Sequence, residues 1–300
     1  MKWTSSAALM LVLGASAAPA TPSAGAPVAS AAARIPYGAN NAASGTFIHD
    51  GVTLYYETYG KGEPLLLVHG NGGSIGWLSA QIAFFKTHRR VIVMDSRDHG
   101  RSGDSAGPLT YEKMTDDLAA LLDHLKTGPV DVVGWSDGGI EALLLGQRHP
   151  DKVRKLVAMA ANLDPAGIYP ETTALVRDML AGIPSAVHDT PAGRREVKVT
   201  TIMLTEPHID LAALRTVTAP TLILSGDNDL IRLDHSVAIY EALPNAELAV
   251  LPRSTHMLPF DDPQLFNTTV ERFLATPFRK VSRIPDTMAS YERLVGGLAK

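Results

Sequence analysis

Val132-Val133-Gly134-Trp135-Ser136-Asp137-Gly138-Gly139 places a serine between two glycines at G-x-S-x-G spacing, directly behind an apolar run and ahead of a helical pattern. Strand, tight turn and helix in that order form the setting in which a serine can act as a nucleophile. Ser136 is expected on the turn, its hydroxyl raised above a sheet. Gly134 and Gly138 lack side chains, so the neighbouring backbones can pack closely. The helix that follows points its N-terminus at the site and favours developing negative charge.

A serine hydroxyl needs a base and an acid to orient that base. In a strand–turn–helix architecture of this kind, the acid and then the histidine are expected downstream. Leu222-Ile223-Leu224-Ser225-Gly226-Asp227-Asn228-Asp229 reads as a strand followed by an acidic turn. Val250-Leu251-Pro252-Arg253-Ser254-Thr255-His256 reads as a strand followed by a loop histidine. Both groups fall at strand C-termini, where α/β proteins gather their sites. Asp227 competes with Asp229, which is favoured because Leu230-Ile231 anchors the turn behind it. Asp164 ranks third, since a turn or helix cap before Pro165 explains it. An oxyanion needs two aimed donors. Val68-His69-Gly70-Asn71-Gly72-Gly73 supplies the Asn71 backbone N–H, and the N–H of Asp137 is its natural partner. His69 reads as a structural hydrogen-bonding residue.

Elements that would hold these groups follow from the hydrophobic pattern. Thr46 to Tyr56 looks like a hairpin about Asp50-Gly51, a favoured tight-turn pair. A wholly apolar run at 64–68 is followed by runs of the same, mainly apolar kind at 91–94, 130–133, 155–159, 221–224 and 248–251. Such runs suit strands buried on both faces of a parallel sheet. Met114, Leu118, Leu121, Leu122 and Leu125 define one helix face, and Asp116, Asp117 and Asp123 lie off it, facing water. Glu141–Arg148 and Pro263–Leu274 are further helices. Strands alternating with helices mean an α/β fold with a mostly parallel sheet. The alternation breaks once, between Pro165 and Ala219, a stretch far too long for an ordinary connection. It contains helix-like segments at Thr172–Ala181 and Ile209–Val217 and is expected to be a cap. Ile168, Tyr169, Leu175, Met179, Leu180 and Ile183 would give that cap an apolar lining; Tyr169 and Met179, with Trp135 beside the serine, are the substrate-binding candidates.

The motifs HGNGG at 69–73, DSRDHGRS at 95–102, GWSDGG at 134–139, GDND at 226–229 and His256 together resemble the α/β-hydrolase superfamily. The resemblance covers roughly residues 46–275. GWSDGG is similar to the elbow of biphenyl hydrolase-like, valacyclovir hydrolase-type serine esterases, and also to enol-lactone and C–C bond hydrolases. It implies a mostly parallel central sheet with helices on both faces and a short helical cap. It also implies Ser136 as nucleophile, Asp229 as acid, His256 as base, Asn71 and Asp137 as oxyanion donors, and no cofactor. Family members usually carry Gly where Asp98 stands, a departure that bears on the path of that loop. Dehalogenase and epoxide-hydrolase relatives place Asp at the elbow, and Ser136 argues against both. Small or medium esters are the first expectation for substrate.

Composition sets the remaining limits. The 300 residues hold 45% hydrophobic and 19% charged side chains, ordinary for a globular protein. A net charge of −4 gives no basic footprint for nucleic acid. With no cysteine there is no disulfide, thiol nucleophile, Cys-ligated zinc or iron–sulfur cluster. H-E-x-x-H is missing and no histidine set is clustered, so no metal site is expected. Lys2, the apolar run Ala7–Leu13 and the small-x-small sites at 15–17 and 18–20 read as an export signal over 1–20, pointing to a periplasmic or secreted protein. The run is too short for a stable membrane anchor. An Ala/Pro/Ser-rich linker is expected over 21–44, the hydrolase-like domain over 45–278, and a tail over 279–300 in which Asp286 caps a helix reaching Leu298.

Overall fold

Eight strands and nine helices account for most of residues 36–298, the part of the chain that a computed structural model describes. The signal and the first part of the expected linker lie outside the described residues. Strands β1 (Ser44–His49) and β2 (Val52–Tyr59) form an antiparallel hairpin, with His49 opposite Val52. Asp50 (φ 45°) and Gly51 (φ 72°) are both left-handed, as the two-residue turn between twisted strands requires. The apolar runs form β3 (Pro64–Val68), β4 (Arg90–Asp95), β5 (Val130–Trp135), β6 (Val153–Met159), β7 (Thr221–Asn228) and β8 (Ala246–Thr255). The sheet order is β1-β2-β4-β3-β5-β6-β7-β8, parallel from β4 through β8.

Helices flank both faces. In chain order they are α1 (Ser79–Phe85), α2 (Tyr111–His124), α3 (Asp137–Arg148), α4 (Pro170–Gly182), α5 (Pro191–Thr205), α6 (Leu233–Ala242), α7 (Leu258–Asp261), α8 (Pro263–Ala275) and α9 (Arg283–Leu298). Side chains of α2, α3 and α6 build one core against the sheet, including Met114, Leu118, Leu143 and Ile239. Those of α1 and α8 build the other, including Ile82, Phe85, Phe266 and Val270. The long break in the alternation is a cap of α4, α5 and short 3-10 turns.

Four local expectations are corrected. Asp117 does not face water: it is fully buried and grips the Arg97 guanidinium through two bonds of 2.6 Å, with His49 Nδ1 at 2.7 Å. The helix pattern shows which residues lie off the apolar stripe, but the buried cation comes from the loop after β4, distant in sequence. Residues 36–43 do not form a loose linker. The buried Glu57 carboxylate accepts from the N–H groups of Gly38 and Asn40 and from the hydroxyls of Tyr55 and Tyr59, pinning this segment to β2. Asp286 is not a cap. The helix starts at Arg283, and Asp286 lies inside its first turn, accepting from the Ser282 N–H. Of the two expected cap helices, Ile209–Val217 contains only a 3-10 segment, Leu211–Thr216, and the cap holds a further helix, α5, whose charges obscure its narrow apolar stripe in the sequence.

Candidate active site

β5 runs straight into Ser136, which holds φ 59° and ψ −121°, a strained backbone for a residue with a side chain. Its surroundings force this turn. A Cβ on Gly134 would lie 1.8 Å from the Gly138 carbonyl oxygen, and one on Gly138 would lie 2.3 Å from that of Val68. Only glycine at both places lets α3 start so close behind β5 and beside β3. Ser136 Oγ lies 2.9 Å from His256 Nε2, and His256 Nδ1 lies 2.7 Å from Asp229 Oδ1. His256 comes from the loop after β8 and Asp229 from the turn after β7. Asp229 is buried, and its carboxylate also accepts from the Ile231 N–H at 3.2 Å. The competing acids are engaged elsewhere. Asp227 is exposed and accepts from the Ser254 N–H, while Asp164 caps the turn at Ala166. A hydroxyl, an imidazole and a buried carboxylate in line can pass a proton from serine to histidine and hold the resulting imidazolium.

The other side of the serine is set by the loop after β3. His69 Nε2 accepts from the Ser96 N–H and its Nδ1–H donates to the Gly70 carbonyl. Burial lowers its pKa to about 4, so the ring is neutral and structural. Asn71 donates both hydrogens of its side-chain amide, one to Asp137 Oδ2 and one to the Val199 carbonyl of α5, each at 2.9 Å. Tyr111 donates to the other Asp137 oxygen at 2.8 Å. Burial raises the Asp137 carboxyl, and these two donors oppose the rise. The backbone N–H groups of Asn71 and Asp137 donate to no acceptor among the described residues. They are available to a substrate oxygen.

Comparison with known proteins identifies the family. The family described as alpha/beta hydrolase fold matches residues 63–194. The 2-hydroxymuconate semialdehyde hydrolase of Pseudomonas putida is 30% identical over 72% of this chain and 88% of its own length. This chain belongs to the α/β-hydrolase superfamily. The serine hydrolase BPHL of Mus musculus is 28% identical over 75% of this chain and 84% of its own. The enol-lactonase of Burkholderia xenovorans LB400 shares the fold, with a TM-score of 0.67 over 77% of this chain and all of its own at 21% identity. The protein is therefore a hydrolase of the α/β family.

The remaining site candidates fall at different distances from the hydrolase centre. Trp135 is buried; its Nε1–H donates to the His256 carbonyl at 2.8 Å, and its ring lies 5.1 Å from that of Phe260. It therefore holds the histidine loop rather than lining an open wall. Tyr169 and Met179 lie on the cap with much of their side chains exposed. The start of the cap is stitched to the acid turn by the Tyr169 N–H to the Leu230 carbonyl at 3.2 Å and by a bridge between Ile168 and Ile231. Asp98 takes φ 59°, the left-handed conformation that glycine would adopt there, so the loop keeps a glycine-like path. Sequence reasoning missed three contacts: the Asn71 bridge to the cap, the Tyr111 support of Asp137, and the engagement of Asp98 with α5. Only Asp98 carried a signal, as the one departure from the family pattern.

Proposed function

We propose that this hydrolase cleaves carboxylic esters of small to medium size through an acyl-enzyme on Ser136. The reading rests on the line of contacts from Ser136 Oγ through His256 to the buried Asp229, at 2.9 and 2.7 Å. Ser136 attacks the acyl carbonyl as its proton passes to His256 Nε2. The oxygen becomes an oxyanion facing the N–H groups of Asn71 and Asp137. His256 then protonates the leaving alkoxide, and the alcohol departs. Water, deprotonated by the same imidazole, attacks the acyl-enzyme, and the carboxylic acid leaves as Ser136 recovers its proton. Asp229 keeps Nδ1 protonated so that Nε2 stays the acceptor. Ile168 and Ile183 are buried, and the exposed apolar cap residues Tyr169, Leu175 and Met179 support an apolar acyl or alcohol group.

A second reading, lactone or C–C bond hydrolysis, draws on the printed activities of the semialdehyde hydrolase and enol-lactonase relatives. A fluorophosphonate probe is expected to label wild-type protein at Ser136 and to leave Ser136→Ala unlabelled. No labelling of folded wild-type protein overturns the serine mechanism. Product analysis with an ester, a lactone and a vinylogous diketone separates the two readings; turnover of the diketone alone would overturn the ester assignment.

A further inference from the structure

Helix α5 presents Arg195, Lys198, Val199 and Ile202 to the body of the protein, at the i, i+3, i+4, i+7 spacing of one helix face. Val199 and Ile202 pack in the core there, while Arg195 and Lys198 make polar contacts. Lys198 Nζ lies 3.0 Å from Asp98 Oδ1 and 3.2 Å from Ser105 Oγ, and also donates to the Ser105 carbonyl. Asp98 is fully buried, and its other oxygen accepts from the Ser105 hydroxyl at 2.5 Å. One turn earlier, Arg195 donates to the carbonyls of Gly100 and Ser102 at 3.0 and 3.1 Å and to Asp104 at 2.7 Å. The residue after Lys198 is Val199, whose carbonyl receives the second amide hydrogen of Asn71.

The geometry points to Lys198 as a positioning residue for the oxyanion loop: clamped by Asp98 and Ser105, it fixes α5 so that the Val199 carbonyl holds the Asn71 amide, and with it the Asn71 backbone N–H, in place. The cap is thus part of the hydrolytic machinery as well as a cover over it. Asp98 is the side chain that makes the clamp. A glycine at that position could follow the same path with no carboxylate to meet the lysine. A buried carboxylate facing an ammonium group on a helix narrows the allowed slide of that helix, because any shift leaves Asp98 short of a partner. Asn71 has no spare hydrogen, so moving the Val199 carbonyl breaks one of its two bonds and frees the loop. The inference rests on the oxyanion role proposed above for Asn71.

Lys198→Met and Asp98→Gly test it separately; the second returns a left-handed position to the residue that tolerates it best, which protects folding. Each is expected to lower kcat on an activated acetate ester about 10-fold, with KM changed less than about threefold, because the donor is misplaced in the transition state. Lys198→Arg is expected to recover most of kcat. Asn71→Ala should lose a similar amount, and Lys198→Met in that background should lose little more, since the two act as one unit. Hydrogen exchange adds an arm that needs no turnover: amides of residues 70–73 should exchange faster in Lys198→Met than in wild type. Unchanged kcat and unchanged exchange in Lys198→Met, or losses that multiply in the double variant, overturn the inference. If wild type is not labelled at Ser136 and the exchange response is present, the activity reading fails and the coupling of α5 to the loop stands.

Discussion

Among the acids near the histidine, distance separates three carboxylates that sequence left in competition. Asp229 touches His256, whereas Asp227 spends its charge on the Ser254 N–H. Asp229→Asn is therefore expected to cut kcat by roughly 10⁴-fold, since the amide favours the wrong imidazole tautomer. Asp227→Asn should stay within about threefold of wild type, because it touches no member of the triad; steady-state kinetics on one activated ester checks both. Glu141, on α3, offers a different test. Both its carboxylate oxygens are buried without a hydrogen-bond partner among the described residues. Burial, then the charges of Asp137 and Asp117, push its pKa well above the ordinary 4.5. The folded state keeps a proton that the unfolded chain releases above that value. Its contribution is thus fully present below about pH 4.5 and is lost as pH rises toward the folded pKa. Glu141→Met should raise stability near pH 8 by about 2 kcal/mol and progressively less toward pH 4. Thermal melts across that range read the slope, and an equal gain at every pH would contradict it.

Whole elements are held in register by a few buried polar contacts. The loop after β4 is tied to α2 by Arg97 and Asp117, both nearly inaccessible. Asp117→Ala leaves a buried guanidinium with an exposed Asp50 carboxylate 3.6 Å away as its remaining acidic partner. A loss of about 3–5 kcal/mol is expected, roughly 10 °C in Tm. On the cap, α4 meets the rest of the protein mainly through α5, and Tyr169 and Met179 are 38% and 45% exposed. Side chains so placed contribute little to the core, and the proposed function gives them the task of selecting substrate. Tyr169→Ala and Met179→Ala should shift the preferred ester chain length while leaving Tm within about 2 °C. Uniform loss across all chain lengths with a lowered Tm would make them core residues.

Viewed as a whole molecule, the described chain is a sheet with two well-packed faces and one appendage. Helix α9 carries Ile284, Met288, Tyr291, Leu294 and Val295 exposed, and the segment before it reaches the body through the Lys280 ammonium and the Pro244 carbonyl. Removing residues 279–300 is therefore expected to leave kcat unchanged and Tm within about 2 °C of wild type, by calorimetry and ester turnover. A large drop in Tm would mean that this stripe packs on the body in solution. Among the described residues no helix is long and apolar enough to cross a membrane.

How much could be read before the fold was known follows from which forces are local. Six mainly apolar runs became the parallel strands because burial of the inner strands on both faces leaves a nearly continuous hydrophobic signature; the edge strand β8 is only half-buried yet keeps the same kind of run. Ser136, Asp229 and His256 were legible because each follows such a strand, and a parallel sheet brings strand C-termini to one edge. The Asp50-Gly51 turn was legible for a similar reason, since its backbone requirement is met within two residues. Tertiary structure alone decided the rest. Asp117 is buried because Arg97, 20 residues away, arrives beside it. Residues 36–43 are ordered because Glu57 collects their N–H groups. Lys198 meets Asp98 across 100 residues, and Val199 meets Asn71 across 128. A hydrophobic period records which face of an element turns inward. It carries no record of which charge or carbonyl will be waiting there, because that partner is chosen by packing between elements that share no sequence neighbourhood.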